Sequence, residues 1–124
     1  MKRILFSILL ITIPFVFLSA QSDPVMTFEK KVHNFGDIEK GKPVSFEFVF
    51  TNTGRQPIFL SKPRSSCGCT VPTYSEKPVM PGQKSSIIIE FDAAKEGPFS
   101  KQVTIISNAE NSPVILIVKG TVLP

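Results

Sequence analysis

An all-β fold, two antiparallel sheets packed as a sandwich of about seven strands, is what this sequence predicts, and three observations carry the prediction. Eleven Phe and eleven Pro stand against one Tyr and no Trp. Proline breaks helix interiors and aromatics suit a pleated, half-buried surface, so this balance favours short strands and frequent turns. Apolar residues recur with period two in several runs, and Gly, Pro, Asn and Ser clusters separate those runs. A helical period is absent downstream of residue 20.

Each element has its own signal. Val25 to Glu29 and Lys31 to Phe35 are short extended segments that stop at Gly36-Asp37. The best strand alternates Val44, Phe46, Phe48 and Phe50 with Ser45, Glu47, Val49 and Thr51, placing four bulky residues on one face. Asn52-Thr53-Gly54 ends it as a turn cluster. Pro57 opens Ile58-Phe59-Leu60 and Pro63 closes it. After the segment holding the cysteines, Pro78 to Gly82 is a turn leading into Ser85 to Phe91, where Ile87, Ile89 and Phe91 share a side. Gly97-Pro98 starts Phe99 to Ser107, a polar turn covers Asn108 to Pro113, and Val114 to Val122 closes the series with Val114, Leu116, Val118 and Val122 on one face. Strand number and spacing fit an immunoglobulin-like sandwich of about 100 residues. The inter-sheet disulfide and core Trp of antibody domains have no counterpart, because both cysteines lie within three positions.

The first 20 of the 124 residues read as an export signal. Lys2-Arg3 is a cationic head, Ile4 to Leu18 is a mostly apolar run broken by Pro14, and Leu18-Ser19-Ala20 suits signal peptidase, with Ala20-Gln21-Ser22 as a weaker cleavage signal. The apolar run is shorter than the roughly 20 residues a permanent membrane helix needs. A single domain from Gln21 to Pro124 is therefore expected in the periplasm or secreted medium, with no permanent membrane span after cleavage. Without Lys2 and Arg3 the chain holds 12 basic against 10 acidic residues, and the basic ones are scattered. A nucleic-acid partner needs a clustered basic face and is not expected; the expected partners are envelope or secreted proteins.

A resemblance now rests on specific residues: His33-Asn34-Phe35-Gly36-Asp37-Ile38, Phe50-Thr51-Asn52-Thr53-Gly54, Ser66-Cys67-Gly68-Cys69-Thr70-Val71-Pro72, Pro81-Gly82 and Lys119-Gly120-Thr121-Val122. From about Phe35 to Val122 the chain resembles the exported bacterial family called domain of unknown function 1573. The resemblance implies an Ig-like sandwich similar to sperm-protein and cilium-associated modules, in envelope or secreted proteins. It implies no established activity. Members of the family often carry further domains or tandem copies.

Cys67-Gly68-Cys69 is the one constellation with chemical content. In an extended strand the two cysteines would share a face with Cα atoms about 6.6 Å apart, near the upper end of disulfide reach, with Gly68 free to tighten the backbone. Three chemistries fit the pair: a structural bridge, a redox-active bridge that a small ring makes easier to reduce, and two thiolates holding Cu(I), with His33, Met26 or Met80 as a further ligand. A Cys-His hydrolase would have to pair Cys67 or Cys69 with His33, and Arg55 or Arg64 could at most complete a sortase-like set. The length and local signature of such an enzyme are missing, so no enzyme and no obligatory cofactor is expected. The leading expectation is a non-enzymatic Ig-like binding or scaffolding module of the cell envelope; the alternative is a periplasmic thiol-redox or Cu(I)-handling protein. The strand registers turn Val49, Phe59, Ile88, Ile106 and Ile117 outward, and Phe59, Ile88 and Ile106 are the expected binding surface if they cluster.

Overall fold

The structure, a computed structural model, describes residues 9–14 and 23–124. Among these residues there is no helix. The predicted cleavage segment Leu18-Ser19-Ala20 lies outside them, and residues 9–14 carry no regular structure and leave Leu9, Leu10, Ile11 and Ile13 exposed. No described helix is long and apolar enough to cross a membrane.

Eight strands build the sandwich: β1 (Met26–Phe28), β2 (Val32–Glu39), β3 (Val44–Asn52), β4 (Arg64–Ser65), β5 (Thr70–Tyr74), β6 (Lys84–Phe91), β7 (Gly97–Ile105) and β8 (Val114–Leu123). The first sheet has the order β1-β3-β6-β5, the second β2-β8-β7-β4. The all-β sandwich is the predicted one. Eight strands meet the expected number of about seven, counting the two-residue β4; the correction is that two of them are not antiparallel, for β2 pairs with β8 in parallel, Val32 opposite Ile117 and Ile38 opposite Val122. No tight hairpin joins these two strands, so nothing local forces the antiparallel sense. β2 also runs on past Gly36-Asp37, where a turn was expected. A register shift between Asn34 and Asp37 absorbs the extra residue, with Gly36 at a φ of 69°. Ile58-Phe59-Leu60 forms two isolated bridges, Ile58 with Val79 and Leu60 with Ser107, instead of a full strand.

Alternation decides the core. Phe48 and Phe50 on β3, Ile87 and Ile89 on β6, Val103 and Ile105 on β7, and Leu116 and Val118 on β8 are fully buried. Cross-strand pairs such as Phe48 with Ile87 and Val103 with Leu116 lie on the facing surfaces of the two sheets. Phe46, placed by the alternation on the same face as Phe48 and Phe50, is half-buried against this cluster, and so is Leu60. A second, smaller cluster of Ile38, Phe91, Ala93 and Val122 closes one end of the sandwich, with Val44, Phe35, Phe99 and Cys69 packed on it.

Several residues of the motifs that carry the resemblance resolve into close approaches and turns. Asn52 is a buried hub: its Nδ2 donates to the carbonyls of Gln56 (2.7 Å) and Val79 (2.9 Å), and its Oδ1 accepts the Gly54 N–H. Gly54 lies flat on the backbone leading into β1, where a Cβ would come within 2.7 Å of Pro24 Cα and Val25 N. On β8, a Cβ at Gly120 would sit 2.7 Å from the Gly36 carbonyl in the β2 bulge and 3.0 Å from the Phe99 ring. Its absence lets the bulge and that ring close over the end of the sandwich.

Candidate functional site

The segment around the cysteines links the two sheets. It is not an extended strand. β4 pairs with β7, Ser65 opposite Val103, and β5 pairs with β6, Thr70 opposite Phe91, so the chain crosses from the second sheet to the first within four residues. A tight turn makes the crossing. The Thr70 N–H donates to the Cys67 carbonyl (3.2 Å), and the Ser65 hydroxyl donates to that same oxygen (2.7 Å). The turn draws the two Cα atoms to 5.2 Å, closer than an extended strand would, and the sulfurs are joined in a disulfide. A Cβ at Gly68 would meet nothing within 4 Å, so the turn, rather than space freed at Gly68, brings the sulfurs together.

Facing this turn is the β6–β7 connection, which crosses between the same two sheets in the opposite sense. The Asp92 N–H donates to the Cys69 carbonyl (3.0 Å) and ties the two crossings together. Ala93 takes a φ of 55°, a left-handed conformation that costs a non-glycine residue about 1–2 kcal/mol. Three contacts hold it there: Asp92 Oδ1 accepts the Ala94 N–H (3.1 Å), the Ala93 carbonyl accepts the Gly41 N–H (2.9 Å), and its methyl is buried in the end cluster.

Between the crossings lies a pocket of about 330 Å³. Cys67 and Cys69 line it on one side and Asp92, Ala94, Lys95 and Glu96 on the other, while Phe91 and Phe99, stacked at 4.0 Å, and Lys101 complete it. Lys101 occupies an inward register position on β7, in line with Val103 and Ile105. A lysine where the alternation calls for an apolar residue is a signal present in Phe99-Ser100-Lys101-Gln102-Val103 and absent from the sequence-based expectations.

The other candidates sit elsewhere. His33 projects from β2 onto the Phe46 ring, stacked at 3.8 Å, with its Nδ1 3.2 Å from the Lys30 ammonium. Burial, and then the Lys30 charge, push its imidazole below the ordinary value. Met80 is exposed in the turn before β6, and Met26 is buried with its sulfur accepting the Ser107 hydroxyl (3.4 Å). None of the three lines the cysteine pocket, and neither does Arg55 or Arg64. Among the described residues no group of three His, Cys, Asp or Glu is placed to hold a metal. Thiolate ligation of Cu(I) would first require the disulfide to be reduced.

The expected binding residues divide between the two outer faces. Ile88, 40% exposed, lies with Val49 on the first sheet, opposite Glu47 and Thr73. Phe59, Ile106 and Ile117 belong to the second. Val32 and Ile117 are a cross-strand pair there, Ile115 is two residues from Ile117, and Ile106 continues the outward row of β7 beyond Thr104. Asn108 holds Phe59 beside them, its Oδ1 accepting the Phe59 N–H (2.8 Å) and its Nδ2 donating to the Pro57 carbonyl (3.0 Å). Phe59 is 54% exposed, Ile115 46% and Val32 39%, while Ile106 and Ile117 are half-buried.

A family model described as a protein of unknown function, DUF1573, matches residues 26–122, from the first strand to the end of the last. The chain belongs to this family. The DUF1573 fold seen here is similar to that of a protein of unknown function from Porphyromonas gingivalis W83, at 17% identity and a TM-score of 0.71 over 88% of this chain and 51% of that one. It is similar also to the ASH/PapD-like domain 7 of human CEP192, at 11% identity and a TM-score of 0.65 over 82% and 87% of the two chains. Part of the Vibrio cholerae VesB protease matches at 14% identity and a TM-score of 0.67, over 77% of this chain and 31% of that one. The chain thus spans about half of the first of these structures and about a third of the protease. At such identities the likeness is one of fold. No curated protein matches the sequence.

The bridge closes a ring with a sequence separation of only two, so it removes little chain entropy from the unfolded state. Replacing both cysteines with Ser is expected to lower stability by less than about 2 kcal/mol, against 2–5 for a structural disulfide of a small secreted domain. Urea midpoints of the wild-type and double-mutant proteins measure the difference. A larger loss would make the bridge a staple of the fold.

Proposed function

We propose that this DUF1573 protein is an exported, non-enzymatic binding module of the bacterial cell envelope, which docks envelope or secreted proteins through the outer face of its second sheet. The observation that carries this reading is the row of Val32, Ile117, Ile115, Ile106 and Phe59 across that face. Single exposed apolar residues are ordinary, whereas a contiguous row framed by polar side chains marks a contact surface. Arg64, Gln102, Thr104 and Lys119 frame it. The fold supports the reading as well, because two sheets locked by a buried core present a rigid face, and a rigid face loses little freedom on binding. Export rests on the apolar run and the Leu18-Ser19-Ala20 signal.

Crosslinking in intact cells tests the proposal. Phe59→Ser combined with Ile106→Ser is expected to abolish most crosslinked adducts while the melting temperature stays within a few degrees of wild type, as is usual for surface changes. Crosslinked protein should begin at Gln21. Unchanged adducts would remove the second-sheet face from the reading, and Met1 retained in a membrane pellet would remove export.

A further inference from the structure

The disulfide pocket plays no part in that docking face, and its chemistry is distinct. We infer that the Cys67–Cys69 bridge is a thiol-exchange site for a small anionic thiol, with the mixed disulfide formed on Cys69 and Cys67 departing as the thiolate.

The pocket has the volume of a small-molecule site, and both cysteines line it together with the stacked Phe91 and Phe99 rings. Its lining sets Lys95 and Lys101 against Asp92 and Glu96. Glu96 is paired with Lys40 (3.1 Å) and Asp92 accepts the Ala94 N–H, so with Lys40 included the balance is a single positive charge. Lys95 and Lys101 are in no ion pair among the described residues. The net positive charge, carried on these two ammonium groups, favours a ligand that is itself negative, and a thiolate bearing a carboxylate fits that description.

Direction follows from what surrounds each sulfur. Cys67 Sγ accepts the Cys69 N–H at 3.1 Å, a fixed donor that stabilises negative charge. The β4–β7 register runs on through Ser66, whose N–H donates to the Gln102 carbonyl (3.0 Å) and whose hydroxyl accepts the Gln102 N–H (3.2 Å). That brings Cys67 abreast of Lys101, whose charge further favours a thiolate. Cys69 instead packs on the apolar end cluster, where a thiolate would be desolvated, and its sulfur has the more distant Thr70 hydroxyl (3.6 Å) beside it. The better leaving thiolate is therefore Cys67.

In the first step the incoming thiolate forms a bond to Cys69 Sγ, the Cys67–Cys69 bond breaks, and its electron pair leaves on Cys67 Sγ. A second thiolate then attacks the sulfur of the bound thiol, forming the free disulfide and releasing Cys69, and both cysteines take up protons. Two thiols are oxidised to one disulfide as the bridge is reduced to two thiols. The bridge regenerates by the reverse exchange with a small-molecule disulfide.

Opening of the bridge in the mature protein can be followed by rapid iodoacetamide quenching and mass spectrometry, with mercaptopropionate as the anionic probe and mercaptoethanol as the neutral one. Each rate constant is divided by that for a free Cys-Gly-Cys peptide disulfide, which cancels the intrinsic nucleophilicity of the probe. At low salt the anionic probe is expected to be favoured roughly tenfold. That preference should vanish in about 1 M salt and in a Lys95→Gln, Lys101→Gln variant, and fragmentation of the quenched peptide should place the probe on Cys69 and the alkyl group on Cys67. Equal normalised rates at low salt, a probe found on Cys67, or a bridge that opens only on unfolding would each overturn the inference. The salt arm uses the wild-type protein, so the result does not depend on how the variants fold.

Discussion

Phe48→Ala is expected to lower stability by about 3–5 kcal/mol, the cost of emptying a fully buried aromatic site. Phe48 has no exposed surface, faces Ile87 across the β3–β6 ladder, and meets the Phe46 ring edge-on at 4.8 Å. Sheets packed face to face collapse little around a lost ring, because strand pairing fixes their backbones, so most of the cavity persists. A domain of this size has roughly 5–15 kcal/mol in all, and each kcal/mol moves the melting temperature by about 4–8 °C. A loss of about 12 °C or more in a thermal melt is therefore expected, by the same relation. Phe46→Ala, at a half-buried position, should cost clearly less. Equal losses at the two positions would mean that burial is not what sets the core energetics here.

The second large effect is expected from a polar residue. Asn52→Leu keeps the side-chain volume nearly constant yet strips partners from three backbone groups, the carbonyls of Gln56 and Val79 and the N–H of Gly54. An unsatisfied buried group costs about 1–3 kcal/mol, so a total of about 3–5 kcal/mol is expected once the turn relaxes partway toward water. Asn52→Asp should be worse, since it sets a carboxylate against two carbonyl oxygens in a site with no exposure. Urea midpoints give the size of the loss. Amide exchange gives its location: protection should fall at Gly54 and along residues 52–58, while the β7–β8 ladder stays protected until global unfolding. Loss spread evenly over all strands would make Asn52 an ordinary core position rather than the clamp of this turn.

These two residues mark how the fold was readable. Phe48 stood out because strand alternation is a local signal: a period of two assigns a face before any partner strand is known. Asn52 gave itself away only as a turn former. Its burial depends on the Val79 segment arriving from 27 residues further on, and no local pattern encodes that meeting. The same holds for Gly54 and Gly120, whose missing Cβ atoms matter because the backbone at 24–25 and the carbonyl at Gly36 come close from elsewhere in the chain.

The sequence by itself determined the all-β class, the faces of β3, β6, β7 and β8, the turn positions between them and the identity of the one chemically distinctive pair. Composition, periodicity and turn residues act over a few positions, so they survive without knowledge of the partner. Only the tertiary structure decided the rest. It set β2 parallel to β8, turned the cysteine segment into a crossing between sheets, and placed that crossing against Asp92 to Glu96 to enclose a pocket. It also divided the outward apolar residues between two opposite faces. Each of these outcomes hangs on which strands pair and in what register. That choice is made by long-range burial across both sheets at once, and no short stretch of sequence contains it.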